Sequence, residues 1–233
     1  PSGRTNTFAG GAYGFADGLR TAAMFRTPHD MAANPADGAY YVCDFGSHRI
    51  RAVTAGGTVL SFAGTGVAGS ADSVSGPSAS FRYPIGIDFD QANNELIVAD
   101  HHNHQIRRVL VAATEVKLWA GLTQGNAGAF AGRYSYPSAV AVISTGVVVL
   151  VADKGNDVIR KVIRYVASGV LYAYTITFTA DVSAPAGGMA LSAGDEFLVL
   201  ADTGNHRVLV LEMAAAAPET KFFAFDAKTA SPH

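Results

Sequence analysis

The sequence predicts an all-β fold assembled from repeated antiparallel sheets, and three observations carry that expectation. A segment recurs four times: FRTPHDMAANPADGAYYVCDFGSHRIRAV from Phe25, FRYPIGIDFDQANNELIVADHHNHQIRRV from Phe81, YSYPSAVAVISTGVVVLVADKGNDVIRKV from Tyr134 and VSAPAGGMALSAGDEFLVLADTGNHRVLVL from Val182. Its prolines, Pro28, Pro84, Pro137 and Pro185, lie 56, 53 and 48 residues apart, and each stands 16 or 17 residues before an aspartate, Asp44, Asp100, Asp153 or Asp202. Each unit holds four short apolar runs separated by turn-forming residues, the pattern of strands rather than helices. Four strands per unit at a period of about 50 residues is the signature of a propeller blade. The predicted fold class is therefore a β-propeller of four-stranded antiparallel blades.

Along the chain, RTNTFAGG at residues 4–11 matches the fourth strand of a blade, as SFAG at 61–64 and LWAG at 118–121 do, and is assigned to a preceding or closing blade. The units span about 25–64, 81–121, 134–180 and 182–226. In each, the proline opens a first strand, such as IGIDFD or SAVAVI. A second strand, such as ELIVAD, VVVLVAD or EFLVLAD, ends at the aspartate; unbroken runs of this kind are covered on both faces. Third strands begin at HRIR, HQIRR, DVIRK and HRVLV, and fourth strands at TVLSFAG, EVKLWAG, LYAYTITF and KFFAF. One strand beyond four closed blades leaves exposed edges, so the expectation is a fragment of a larger propeller or closure by a second chain.

Composition agrees. The 233 residues are 49% apolar and 15% charged, include 25 glycines and carry a net charge of −2, which describes one turn-rich globular domain with a sizeable core. A near-neutral balance gives no support to a broad nucleic-acid surface. Cys43 is the single cysteine, so no internal disulfide framework exists and the redox compartment stays open. No run of 18 apolar residues and no signal-like start is present. A soluble segment without membrane insertion is expected, cut from a longer secreted or membrane-anchored protein, its compartment unspecified.

The D-x-G-N-H-R-[IV] segment at Asp202–Val208, the upstream F-x-x-P and the connecting F-A-G…A-D-G stretch resemble NHL repeats over nearly the whole chain. The resemblance implies four-stranded blades around a central channel, about six of them, more than the four units visible here.

Recurrence also sorts the polar residues. Asp44, Asp100, Asp153 and Asp202 are expected to hold tight turns by accepting bonds from backbone N–H groups one or two residues on. His48, His104 and His206, aligned with Asp157, are expected to hydrogen-bond near the same turns, and Gly46, Gly155 and Gly204 to supply a positive φ. Cys43 stands where Ala99, Ala152 and Ala201 stand, a packing position. In ADHHNHQIRRV the residues peculiar to one unit are His101, which replaces Phe45, Lys154 or Thr203, and His102, which replaces glycine. They are read as strained surface residues or as ligand contacts.

A zinc site needs three or four converging ligands, and the remaining His29, His48, His206, His233 and Cys43 form no second cluster, so neither metal nor other cofactor is expected. Amidating lyases of similar fold place zinc histidines after the blade-opening proline; here those positions are His29, Ile85, Ser138 and Ala186, leaving His29 as the one candidate. First strands that are mostly apolar or small argue against a calcium site. There is no G-x-S-x-G, H-E-x-x-H or P-loop.

The connectors AGGAYGFADGLRTAAMF, AGTGVAGSADSVSGPSASF and AGLTQGNAGAFAGRYSY should share a face with the D-x-G-N-H turns. Long loops of this kind carry function. Tyr13, Phe15, His101, His102, Phe130 and Tyr134 are the candidate partner or ligand contacts, although Phe15 and Phe130 could instead plug gaps between blades. Arg49, Arg51, Arg107, Arg108, Arg160 and Arg207 on the third strands are expected to pair with a neighbouring blade or lie solvated. The reading is a non-enzymatic scaffold that binds a protein, or a small ligand, through its loop-rich face. The alternative is a channel-type lyase or hydrolase with some metal ligands in missing blades; RNA binding ranks third and would be dropped on a neutral or acidic loop face.

Overall fold

The computed structural model describes residues 3, 5–121, 133–167, 170–179, 182–185, 188–213 and 222–224, and every regular element in them is a strand or a short 3₁₀ turn. Three two-residue strands come first: β1 (Ala12–Tyr13), β2 (Gly18–Leu19) and β3 (Met24–Phe25). Blade one is β4 (Pro28–Ala33), β5 (Tyr40–Asp44), β6 (Arg49–Val53) and β7 (Thr58–Ala63). Blade two is β8 (Pro84–Asp90), β9 (Glu95–Asp100), β10 (Gln105–Leu110) and β11 (Val116–Ala120). Blade three is β12 (Pro137–Val142), β13 (Val148–Asp153), β14 (Val158–Ala167) and β15 (Val170–Thr179); blade four is β16 (Met189–Leu191), β17 (Phe197–Asp202), β18 (Arg207–Glu212) and β19 (Phe222–Ala224). Within each blade the strands pair antiparallel in chain order, and β2 adds a fifth strand outside β7.

The strand expected over residues 4–11 is a correction. No strand forms over residues 5–11. Gly10 turns the chain at φ 92°, and Gly10 and Gly11 donate to the Arg20 and Ala23 carbonyls. The segment thereby folds back on residues 20–25, and β1 pairs parallel with β3. A Cβ at Gly11 would collide with the Thr21 carbonyl, so only glycine permits this approach.

The core lies between blades. Tyr41, Cys43 and Ile50 of blade one meet Ile87, Leu96 and Val98 of blade two; Ile97 and Ile106 meet Val140, Val149 and Val151; Leu150 and Ile159 meet Leu198, Leu200 and Leu209. Side chains three residues before each aspartate face the following blade, and their neighbours face the preceding one, because strand side chains alternate. Each fully buried Ile or Leu contributes about 1.5–3 kcal/mol. Burial pushes the Cys43 thiol pKa well up, which fits packing rather than nucleophilic chemistry.

At the two ends this pattern loses its cover. Tyr41, Ile97 and Leu150 are buried, but the equivalent Val199 is 38% exposed; Ile50, Ile106 and Ile159 are buried, but Val208 is 52% exposed. On the opposite face of blade one, Met31 is 63% exposed where Ile87 and Val140 are each 3% exposed. No helix among the described residues is long and apolar enough to cross a membrane.

Candidate binding face

The loop face is built on the strand-ending aspartates, and their partners differ from those expected. Asp44 Oδ1 accepts from Arg26 N at 2.8 Å and Thr27 N at 3.1 Å, Asp100 Oδ1 from Arg82 N at 2.7 Å, and Asp153 Oδ1 from Ser135 N at 2.7 Å. Asp202 Oδ1 accepts from Ser183 N at 2.6 Å. These donors precede the aspartates by 17–19 residues rather than following them. The reason is register: Pro28, Pro84 and Pro137 sit opposite Asp44, Asp100 and Asp153, so the carboxylate meets the residues that lead into strand one. The second oxygen takes Asn103, Asn156 or Asn205 at 2.7–2.9 Å.

A guanidinium completes each cluster. Arg51 and Arg107 are fully buried; they reach Asp44 at 3.4 Å and Asp100 at 3.2 Å, and also Asp17 at 2.7 Å and Asp72 at 2.6 Å. They further donate to the Ala16 and Met24 carbonyls and to those of Ala71 and Ser80. They therefore tie their own blade to the connector before it, not to a neighbouring blade, and the aspartate of each A-D connector motif is the outer counter-charge. Arg160 and Arg207 reach Asp153 at 2.9 Å and Asp202 at 2.6 Å. Burial pushes Asp100 up to about 6, against the downward pull of Arg82 N–H, Asn103 and Arg107.

The turn glycines also differ from expectation. Gly46, Gly155 and Gly204 do not have positive φ; the left-handed residue comes two positions later, as His48 (56°), His104 (57°), Asp157 (53°) and His206 (54°). The glycines are needed for close approach, since a Cβ at Gly155 or Gly204 would meet the Ser135 or Ser183 hydroxyl. Arg82 occupies the serine's place in blade two, so His102 fits, donating to the Arg82 carbonyl at 3.1 Å as Gly155 and Gly204 donate to Ser135 and Ser183. His102 is thus not backbone-strained.

The left-handed residue latches one blade to the next. His48 Nδ1 accepts from Tyr83 N at 3.1 Å, His104 Nδ1 from Tyr136 N at 3.0 Å, and Asp157 Oδ1 from Ala184 N. The receiving residues precede the blade-opening proline and are themselves left-handed, with φ of 56°, 52° and 42°.

Between the latches lies a continuous array of rings. His29 packs against Phe45 at 5.0 Å between ring centroids, Phe45 against Tyr83 at 4.7 Å, Tyr83 against His102 at 4.6 Å and His102 against His101 at 5.0 Å, the rings tilted or edge to face. Tyr136 joins from blade three, 5.3 Å from His101 and 4.5 Å from His104. His101 Nδ1 donates to the Pro137 carbonyl at 2.8 Å. Burial, then the nearby cations Arg26 and Arg82, lowers the pKa of His48; burial also lowers those of His101 and His102. His102 Nδ1 is a buried atom without a partner among the described residues.

The sequence-named residues divide accordingly. His101 and His102 belong to the array, and so does His29, whose ring packs on Phe45. Tyr134 does not: it is 6% exposed in the core between blades two and three, with its hydroxyl 3.2 Å from Thr175 Oγ1. Phe15 lies under the Arg49 guanidinium at 4.0 Å, and Tyr13 is exposed on β1; neither makes a ring contact with the array. Phe130 lies outside the described residues. Phe45, Tyr83 and Tyr136 were not singled out as contacts, although the tyrosines are visible in FRYP and YSYP, where the other units have Thr27 and Ala184 before the proline.

The channel side carries carboxylates as well as apolar residues. Asp30, Asp88 and Asp195 line a cavity of 370 Å³ with Met189 and Ser192. Their carboxylates stitch adjacent blades: Asp30 accepts from Ile87 N at 3.1 Å, Asp88 from Val142 N at 2.8 Å and Asp195 from Ser144 N at 2.7 Å. Among the described residues no group of three or more His, Cys, Asp or Glu could hold a metal ion.

Repeated four-stranded sheets packed face to face through a radial core are blades of a β-propeller. The NHL-repeat family model matches residues 25–53 and 81–109, the first two units, so the chain carries NHL repeats, in support of an NHL-repeat family. Solved structures of similar fold include that of the nidogen/laminin complex (15% identity, TM-score 0.58), covering 79% of this chain and 60% of that one. A catalytically inactive virginiamycin B lyase from Staphylococcus aureus with quinupristin matches at 14% identity and TM-score 0.55, over 89% and 59% of the two chains. A functionally unknown protein from Desulfotomaculum acetoxidans matches at 17% and 0.56, over 82% and 56%. The chain thus spans less than two thirds of the length of these structures. No curated protein matches it in sequence.

Proposed function

We propose that this protein is a binding module that engages a protein partner through its loop face. The observation that carries the reading is the ring array from His29 to Tyr136, which crosses three blades and leaves Tyr136 43% exposed. Tyrosine and arginine side chains supply much of the energy at protein interfaces, and the array is held by the inter-blade latches, so binding does not have to order it. The lyase alternative has less support, because the channel carboxylates are occupied by backbone N–H groups. The uncovered end faces support a companion proposal, that a further blade packs against them.

A photo-crosslinking residue at position 136 tests the first proposal. The expected result is a discrete cross-linked partner that is lost in Tyr83→Ala and His102→Gly; the same residue at the exposed Leu60 of β7, away from the ring array, should give none. Equal labelling at both positions would reject the ring array as the binding surface.

A further inference from the structure

Resting on the proposed binding reading, we infer that the partner presents an acidic peptide segment to the ring array. The array is bordered by cations that lack carboxylates. Arg26 and Arg82 are exposed and immediately precede the residues leading into strands β4 and β8, and Lys154 follows Asp153 in the blade-three turn; among the described residues none of the three forms an ion pair. The carboxylates nearby are already engaged. Asp44, Asp100 and Asp153 are buried in the turn clusters, Asp157 accepts from Ala184, and Asp17 and Asp72 pair with Arg51 and Arg107.

The imidazoles register the same imbalance. His48 faces Arg26, Arg82, Arg49 and His102, His101 faces Lys154 together with His102 and His104, and His102 faces Arg82 and His104. Among the described residues the carboxylates beside the rings are engaged: Asp30, next to His29, by the Ile87 and Met31 amides, and Asp44 and Asp100, which precede Phe45 and His101, by the Arg26, Thr27 and Arg82 amides and by Arg51 and Arg107. An acidic segment would give Arg26, Arg82 and Lys154 their missing partners and favour protonated imidazoles. Single-stranded nucleic acid fits less well. The rings pack tilted or edge to face on one another, whereas successive bases need a row of open, parallel ring faces, and three cations give little counterion release.

Fluorescence anisotropy on the full chain tests this with a labelled ten-residue peptide of alternating Glu and Leu, its Gln-for-Glu counterpart, and oligo(U) of the same length. The expected result is that the acidic peptide binds and the neutral one does not. Affinity should fall roughly tenfold between 50 and 300 mM NaCl, as screening of exposed charges requires. Arg82→Ala and Lys154→Ala, both at surface positions, should each weaken binding severalfold, and binding should be tighter at pH 5.5 than at pH 7.5. Failure of the acidic peptide to bind, equal binding of both peptides, or preference for oligo(U) would overturn the inference. A partner that cross-links at position 136 but is indifferent to salt and to these variants would overturn it while leaving the binding reading intact.

Discussion

Asp100 has no exposed surface and is held by one backbone N–H, Asn103 and the equally buried Arg107. Asp100→Asn keeps the shape but removes the charge opposite Arg107. Breaking a buried pair costs about 3–5 kcal/mol, and the loss should lie near the low end because Asp72 remains 2.6 Å from Arg107. Asp202→Asn should cost only about 1 kcal/mol, since the Arg207 side chain is partly exposed. Urea unfolding of the two variants measures the difference; equal losses would mean that the buried guanidinium is not the cause. A second residue-scale effect concerns pH. His48, His101 and His102 have folded pKa values lowered below 6.5, chiefly by burial, so the unfolded chain binds protons more readily. Their stabilising contribution is complete above about pH 6.5 and is lost as pH falls below it. Asp100, pushed up to about 6, acts in the opposite sense over the same window, so the histidine effect is read as a difference. Between pH 7.5 and 5.5 the Tm of His101→Gln should change more favourably than that of the unsubstituted protein, and equal changes would exclude His101 as a source. At this scale the aspartates, the turn histidines and the anomaly of His102 were legible because repetition exposed them. The ring array was not, because Phe45, Tyr83 and Tyr136 come from separate units and meet only when blades pack.

Between elements, the latch is the recurring device, and blade three shows how it can be varied. Asp157 performs with a carboxylate what His48 and His104 perform with Nδ1, each from a left-handed position. The function is therefore an acceptor at a fixed point rather than an imidazole. Asparagine offers an acceptor and tolerates the left-handed region, whereas alanine offers none. His104→Ala should cost about 1 kcal/mol through loss of the bond to the exposed Tyr136 amide, and His104→Asn should recover most of it in thermal unfolding; failure of asparagine to rescue would show that the ring contact with Tyr136 matters more than the bond. The strands themselves were legible from their apolar runs, and all four fourth strands lie where the pattern put them. The error at residues 4–11 has a physical reason. TFAGG shares the letters of a fourth strand, but a left-handed Gly10 and a Gly11 pressed on Thr21 send the chain back on itself. A local pattern cannot reveal that a glycine is being used for its backbone.

Over the whole molecule, the two end faces pose the question of what covers them. On blade four, Val199 and Val208 hold places that are buried in each of the other blades, and His206 repeats the left-handed latch geometry at φ 54°. On blade one, the position that would receive a latch is Thr27, which is not left-handed and whose N–H is bonded to its own Asp44. A β-branched residue reaches the left-handed region only at a cost of about 1–2 kcal/mol. Blade one of a second copy is therefore a poor cover for blade four, whereas a blade with an unbranched residue before its proline, like Tyr83, Tyr136 or Ala184, would offer the amide that His206 is placed to bind. Until such a blade is supplied, the exposed valines and the apolar groove formed by Phe8, Phe25, Met31 and Tyr40 should drive weak, non-specific association, as large uncovered apolar patches do. Sedimentation velocity of the 233-residue chain should show concentration-dependent association that Val199→Lys with Val208→Lys reduces. Adding one NHL-type blade with alanine before its proline should abolish the association and raise Tm, and His206→Ala in that longer chain should reverse part of the gain. Association unchanged by either alteration would place the contact elsewhere than on blade four.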